Sequence, residues 1–179
     1  MPSRPLPILA ALLVSACDTA APARVQTPPD SAAGEMKFEM IGPGGAAMAL
    51  PVHVNGQGPF RLILDTGATL TCLDRAVSRR LGLKEVRGVR GMGAGVAGSG
   101  QMRMLEVDSI RVGAAKAYDL TVCEVDLSHA GKIGIEADGL LGLNFLEEFR
   151  VTLDFERDVL VLEDPDGTGD ESDAAKKKQ

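Results

Sequence analysis

The stretch Pro59-Phe-Arg-Leu-Ile-Leu-Asp65-Thr-Gly-Ala68 decides the fold, because a hydrophobic run ends there in Asp-Thr-Gly-Ala. The apolar residues are typical of a β-strand, and the polar and small residues after them end that strand. One carboxylate, Asp65, is thereby placed at the end of a strand. Asp-Thr-Gly alone is a weak signal, so its meaning depends on the rest of the chain.

The segments on both sides of this strand alternate between short apolar runs and turn residues. Asn55-Gly56-Gln57-Gly58 predicts a hairpin turn in front of it. Asp74 predicts the N-cap of a short helix over 75–81 that ends at Gly82, and Asn144 predicts the cap of another. Further strands are predicted over 35–40, 47–54, 70–73, 84–90, 101–112, 118–125, 151–155 and 159–162. About eight or nine short strands separated by turns favour an all-β domain.

The composition excludes two classes of site. The chain has 179 residues, a formal net charge of −6, 3% aromatic residues and no Trp. It offers neither a basic face for phosphates nor aromatic surface for stacking bases, so we expect no nucleic-acid partner. Three Cys and two His without C-x-x-C or H-x-x-x-H spacing do not suit zinc, so no metal site is expected.

The two ends of the chain have the composition of processing and linker segments. Residues 1–16 are predicted to be a signal peptide, since their apolar run is too short to span a bilayer comfortably. Val14-Ser15-Ala16-Cys17 resembles the lipobox of bacterial lipoproteins, which implies lipidation of Cys17; an ordinary secretory signal is the alternative. Residues 17–34 are predicted to be a flexible tether and 164–179 a disordered polar tail, which leaves 35–163 as the folded domain. The predicted location is the cell envelope, with a lipid anchor and the domain facing the periplasm or the outside.

Two further elements give the Asp-Thr-Gly loop its context. Residues 138–143 are a compact apolar turn, in which the stretch Ala137-Asp-Gly-Leu-Leu-Gly142 supplies two large apolar residues and a Gly, and 91–100 is rich in Gly. With the strand before Asp65 and the closing hairpin, this combination resembles the retropepsin-like aspartic proteases, the group of the retroviral proteases and their bacterial relatives. The resemblance covers most of 35–163 and implies a closed all-β acid-protease barrel with one or two short helices.

The resemblance also assigns roles to residues. It implies that Asp65 is catalytic and that the Thr66 hydroxyl forms hydrogen bonds across the two halves of the site. It also implies that Gly67, which has no Cβ, lets the backbone and the substrate approach each other closely. Ala68 completes this active-site loop. The supporting turn is implied to consist of Leu140, Leu141 and Gly142. The flap that closes over a bound peptide is implied to include Gly91, Met92, Gly93, Ala94, Gly95 and Val96.

The chemistry of such a site requires two carboxylates, one as base and one as acid, which share a proton when they are close. This chain has a single Asp-Thr-Gly and no Asp-Ser-Gly. The second Asp65 is therefore expected from a second chain across a two-fold axis. The sequence thus predicts a homodimeric aspartic endopeptidase that acts on peptide or protein substrates without a cofactor.

Several alternatives remain open from the sequence. The stretch 93–98 also fits the G-x-G-x-x-G pattern of dinucleotide sites, although the strand-like residues after it favour a flap. Cys72 and Cys123 form either a disulfide or two buried thiols, and the family pattern places their strands near one another. His53 and His129 have no partner at a catalytic motif. The alternative function is a catalytically inactive peptide-binding or assembly module of the envelope.

Overall fold

The computed structural model describes residues 24–26, 35–95 and 98–165. The predicted signal peptide, Cys17, Val96 and the tail from residue 166 onward lie outside the described residues. The structure places three residues of the predicted tether, Arg24–Gln26, in a strand beside Lys116–Tyr118. Within the described part of the chain, no helix is long and apolar enough to cross a membrane.

The described residues form twelve strands and three short helices. The strands are β1 (Arg24–Gln26), β2 (Glu35–Lys37), β3 (Glu39–Ile41), β4 (Ala47–Val54), β5 (Gln57–Leu64), β6 (Cys72–Asp74), β7 (Lys84–Gly95), β8 (Gly98–Val112), β9 (Ala115–Val125), β10 (Gly139–Leu141), β11 (Arg150–Asp154) and β12 (Val159–Glu163). The helices are α1 (Arg75–Leu81), α2 (Ser128–Lys132) and α3 (Leu143–Leu146).

Six of the strands close into a barrel in the order β9-β6-β10-β5-β4-β8, and pairing between β8 and β9 completes the circle. Most neighbours are antiparallel, whereas β10 is parallel to β5 and β6 is parallel to β9. A separate sheet contains β11, β12 and β2. The expected all-β closed barrel is confirmed, with three short helices instead of one or two.

Alternating burial along the strands fills the barrel with side chains. In β4, Leu50, Val52 and Val54 are almost fully buried, while Pro51 between them is exposed. On the neighbouring strand β5, Leu62 pairs with Leu50 and is equally buried. Burial of each such side chain stabilises the fold by roughly 1.5–3 kcal/mol. The period of two is what directs one face of each strand inward.

The predicted hairpin turn and both predicted caps of α1 are present in the structure. Asn55 and Gly56 have φ angles of 50° and 74°, the left-handed pair that joins the strands of a two-residue hairpin. Asp74 caps α1, because its Oδ1 accepts the Ala76 N–H at 2.8 Å. The helix ends at Gly82, whose φ of 62° favours glycine.

Other elements differ from the sequence-based expectation. The predicted strand over 35–40 is divided into β2 and β3 at Phe38, which is buried and donates its N–H to the Asp158 carbonyl. The predicted apolar turn at 139–141 is a strand, β10, and α2 was not expected. The N-cap of α3 is Gly142 rather than Asn144, because the Asn144 side chain bonds residues outside its own helix.

A disulfide bond joins Cys72 to Cys123 in the structure. The two residues face each other in the parallel pair β6–β9, with their Cα atoms 4.4 Å apart. Both side chains are buried, and the Cys123 N–H donates to the carbonyl of Thr71 at 2.9 Å. Of the two alternatives that the sequence leaves open, the structure holds the bridged one, which links the segment after the Asp65 loop to the barrel wall.

Candidate active site

The loop that carries Asp65 is shaped by hydrogen bonds to its own backbone. The Asp65 N–H donates to the Leu141 carbonyl at 3.0 Å, so the loop begins while β5 is still held against β10. The Gly67 N–H donates to Asp65 Oδ1 at 2.9 Å, and the Ala68 N–H donates to the Asp65 carbonyl at 3.2 Å. These bonds fix the carboxylate of a half-buried residue at the carboxyl end of β5.

The middle of this loop is exposed while its two ends are half-buried. Asp65 and Ala68 are half-buried, whereas Thr66 and Gly67 between them are exposed. A Cβ atom on Gly67 would lie 3.2 Å from Asp65 Oδ1, tighter than ordinary packing. Glycine at this position therefore leaves room around the carboxylate.

The supporting turn lies directly behind the loop. β10 is inserted between β5 and β6, so that Leu140 pairs with Ile63 on one side and Cys72 on the other. Leu141 is fully buried in the barrel core. The Gly142 N–H then donates to the Thr71 hydroxyl at 3.1 Å. The predicted residues Leu140, Leu141 and Gly142 thus contact both segments that flank the Asp65 loop.

Asn144 holds the Asp65 loop in place, a role that the sequence analysis did not predict for it. Its Oδ1 accepts the Thr71 N–H at 2.7 Å, and its Nδ2 donates to the Thr121 carbonyl at 2.8 Å. Its own N–H donates to the Thr69 carbonyl at 3.1 Å, next to the bond from the Leu143 N–H to Ala68. An amide side chain just after Leu-Leu-Gly is the signal in the sequence, and it bonds the loop rather than capping α3.

Asp138 is held away from the Asp65 loop, at the opposite end of β10. Its Oδ2 accepts the Arg61 N–H at 2.8 Å, and its backbone bonds Arg61 and Asp74. These contacts are structural, because they join the strand ends around β10. Asp154 likewise ends β11, where it accepts the Glu156 and Arg157 N–H groups.

The two histidines lie on different elements, one on a strand and one on a helix. His53 lies on β4 opposite Arg111 of β8, and partial burial followed by the Arg111 charge lowers its pKa. His129 is exposed on α2. Among the residues that the structure describes, no group of three or more His, Cys, Asp or Glu side chains could hold a metal ion.

The Gly-rich segment forms an antiparallel hairpin from β7 and β8. Gly91 pairs with Met102, and the pairing continues through Met92, Gly93 and Ala94 to Gly95, which faces Gly98. Val96, the last residue of the predicted flap, lies outside the described residues. A dinucleotide site requires a helix that begins within the G-x-G-x-x-G motif. Strands flank the motif on both sides here, which contradicts that alternative.

Two cavities of the described chain lie apart from Asp65. The larger, of about 660 Å³, is lined by charged residues near the start of β10, including Arg61, Asp74 and Asp138. The smaller, of about 430 Å³, is beside β4 and β5 and shares Arg61 and Asp138 with the larger. Neither includes the Asp65 loop, so a substrate held at that loop needs walls other than those of these cavities.

We predict that Gly142→Ala destabilises the barrel at the site. A Cβ atom there would lie 2.4 Å from the backbone carbonyl atoms of Leu70, although the backbone φ of −95° suits any residue. The expected loss in the free energy of unfolding is about 1–3 kcal/mol, measured by urea denaturation. The control is Gly131→Ala, where a Cβ meets no atom within 4 Å. Equal stability of the two variants would contradict the close packing of β10 against the loop.

The chain is similar to a known family and to a solved structure. No match was found among curated proteins. A solved structure, that of a retropepsin-like aspartic protease from Rickettsia conorii, is 18% identical over 80% of this chain and 95% of its own, with a TM-score of 0.48. A family model described as aspartyl protease matches residues 50–145, which include the Asp65 loop, the Gly-rich hairpin and the supporting turn. Since that match spans more than half of the sequence, the chain belongs to the aspartyl protease family.

Proposed function

We propose that the protein is a homodimeric aspartic endopeptidase, in which Asp65 and the partner's Asp65 form one catalytic pair. The observation that carries the proposal is the Asp65 loop itself. Its carboxylate stands at the end of a barrel strand, braced by its own loop and by β10, in a chain of the aspartyl protease family. The exposed Thr66 and Gly67 leave the loop accessible to a second copy.

The need for a second copy follows from the carboxylates of one chain. Asp65 is the Asp of the single Asp-Thr-Gly motif. Asp138 is the nearest in sequence pattern, but its Oδ2 accepts a backbone N–H at the other end of β10. A two-fold axis through the Asp65 loops brings the same residue from both chains to one place, as in any isologous interface.

The proposed reaction uses the two carboxylates with one shared proton. Two carboxyl groups about 3 Å apart do not both ionise readily, so one holds the proton and the other is charged. The charged group takes a proton from water as the water oxygen bonds to the peptide carbonyl carbon, and the other gives its proton to the carbonyl oxygen. When this tetrahedral species collapses, the carboxyl that took the proton from water gives it to the peptide nitrogen, and the C–N bond breaks. The other carboxylate takes a proton from one of the two hydroxyls, so that the pair again holds one proton.

The proposed substrate is an extended segment of a peptide or protein. Such a segment lies between the Asp65 loop and the β7–β8 hairpin and uses strand-like backbone hydrogen bonds with alternating side-chain contacts. The net charge of −6 sets no requirement for a charged substrate. The shape of the completed dimer, rather than composition, determines which side chains are accepted.

We also propose that the mature protein is anchored in the bacterial cell envelope by lipid on Cys17. The support is the sequence Val14-Ser15-Ala16-Cys17 behind a short apolar run. When the full-length protein is expressed in a bacterium, we expect it in the washed membrane fraction. Cys17→Ala is expected to abolish lipid labelling of the protein and to release the protein from the membrane fraction. Labelling that survives Cys17→Ala would contradict the anchor.

The peptidase proposal predicts the effect of Asp65→Asn on turnover. The amide side chain has the size of the aspartate, and its oxygen still accepts the Gly67 N–H. However, it neither takes a proton from water nor shares one with the second carboxyl of the pair. The kcat/KM for peptides cleaved by the wild type, from a library assayed across pH by mass spectrometry, is expected to fall at least about 1000-fold. Thermal unfolding of the variant should stay close to that of the wild type.

The matched control is Asp108→Asn, since Asp108 is an exposed residue of β8 outside the Asp65 loop. This variant is expected to keep wild-type kcat/KM. Turnover that survives Asp65→Asn would contradict the mechanism. Peptides that bind equally to wild type and Asp65→Asn, and that neither protein cleaves, would favour the binding module instead.

A further inference from the structure

The β7–β8 hairpin leaves the barrel at one defined point. Pairing of β8 with β9 begins at Met104, which faces Cys123, so the part of β8 before Met104 pairs with β7 alone. On β7, the regular register with β8 is interrupted between Glu85 and Arg90. β8 therefore lacks its barrel partner β9 at the same level at which its register with β7 is irregular, which makes this level the expected hinge.

Arg103 stands at that hinge and contacts both neighbouring strands. Its Nη1 donates to both carboxylate oxygens of Glu124 on β9, at 3.2 and 3.1 Å. Its Nε donates to Glu85 Oε2 on β7 at 3.2 Å. The bond to Glu85 and the charge of Glu124 raise the pKa of Arg103, so it stays charged. One guanidinium on β8 thus connects three strands where the backbone ladder with β9 has ended.

Glu124, which accepts these bonds from Arg103, is itself held in place by burial and by its neighbours. Its side chain is only 5% exposed, and Arg75 of α1 lies 3.4 Å from its Oε1. The residue before it, Cys123, is bonded to Cys72, and Glu124 itself pairs in register with Leu73 of β6. A buried carboxylate requires charged partners, and Arg103 supplies the one on the hairpin.

We propose that Arg103 is a positioning residue, which sets the angle at which the β7–β8 hairpin leaves the barrel and so the place where it closes over a bound peptide. This inference rests on the proposed function for the meaning of closure. Backbone pairing with β9 no longer fixes β8 at residue 103, so the hinge angle depends on side chains. The Arg103 contacts to Glu85 and Glu124 span it. Val86 and Met102 of the hairpin also pack there, against Met104 and the Cys72–Cys123 bridge, but without the directed geometry of hydrogen bonds.

Arginine suits this role because its nitrogens reach separate acceptors from one rigid plane. A lysine at the same position keeps the charge but offers a single ammonium group on a flexible stem. It reaches Glu124 or Glu85 without holding both in a fixed geometry. Arg103→Lys is therefore the variant that separates charge from geometry, while Arg103→Met removes both.

The matched control is Arg157, which makes the same kind of contact in another place. Its Nε bonds Asp154 at 2.6 Å, and its Nη1 bonds Glu35 at 3.2 Å. Its side chain is 55% exposed, close to the 51% of Arg103. Arg157 follows β11 at the separate three-stranded sheet, so Arg157→Lys and Arg157→Met remove a similar contact without touching the hairpin hinge.

The test measures amide hydrogen exchange and peptidase kinetics on the same proteins. Arg103→Met is expected to speed exchange of the 90–102 amides roughly 10- to 100-fold, with β4 and β5 unchanged, as for a lost hydrogen bond between charged groups. Arg103→Lys is expected to give a smaller change at the same amides. For cleaved peptides, KM should rise several-fold in both with little change in kcat. The Arg157 variants should move neither quantity.

Two outcomes would overturn the proposal. One is unchanged exchange of the hairpin amides in Arg103→Met and Arg103→Lys. The other is faster exchange throughout the barrel with lower kcat at constant KM in both, the result of a smaller folded fraction. If the wild type cleaves no peptide but the Arg103 variants still show faster exchange confined to the hairpin amides, the hinge role of Arg103 is upheld. The proposed peptidase function is then what fails.

Discussion

The position of Asp65 depends on one short strand, β10, inserted between β5 and β6. The Leu141 carbonyl receives the Asp65 N–H, and one residue later the Gly142 N–H reaches the Thr71 hydroxyl. The loop is thus bonded on one side to the last residue of β10 and on the other to the residue that follows it. Close approach is possible because glycine is the first residue of β10, Gly139, and the residue just after it, Gly142, where any Cβ would lie 2.4 Å from backbone atoms. The carboxylate is oriented by backbone geometry before any substrate arrives, as a preorganised site requires.

The two ends of β10 show how contacts rather than residue type decide a role. Asp65 and Asp138 are both aspartates beside this strand. Asp138 Oδ2 accepts the Arg61 N–H, and the Asp138 backbone bonds Arg61 and Asp74, so it holds strand ends together. Asp65 Oδ1 accepts a bond from within its own loop, in which Thr66 and Gly67 are exposed. Asp138 thus has a structural role between strands, and the proposed proton transfer is assigned to Asp65.

Features set by neighbouring residues could be predicted from the sequence, whereas those set by distant ones could not. The Asn55-Gly56 turn and the Asp74 and Gly82 caps follow from local backbone preferences, and they are present. Asn144 was expected to cap a helix for the same reason. It instead bonds Thr71 and Thr121, 73 and 23 residues away, which no local preference reveals. The strand character of β10 and the contact of Arg103 with Glu124 likewise appear only once the barrel has closed.

The central claim is that two copies of Asp65 make one site, and subunit mixing tests it most directly. Wild-type protein and Asp65→Asn, carrying different affinity tags, are mixed at constant total concentration until subunits have exchanged. If each active site needs both aspartates, activity follows the square of the wild-type fraction, and an equal mixture retains about one quarter of the wild-type activity. Activity that falls in direct proportion to the wild-type fraction, with mixed dimers shown to be present by the tags, would contradict the shared site.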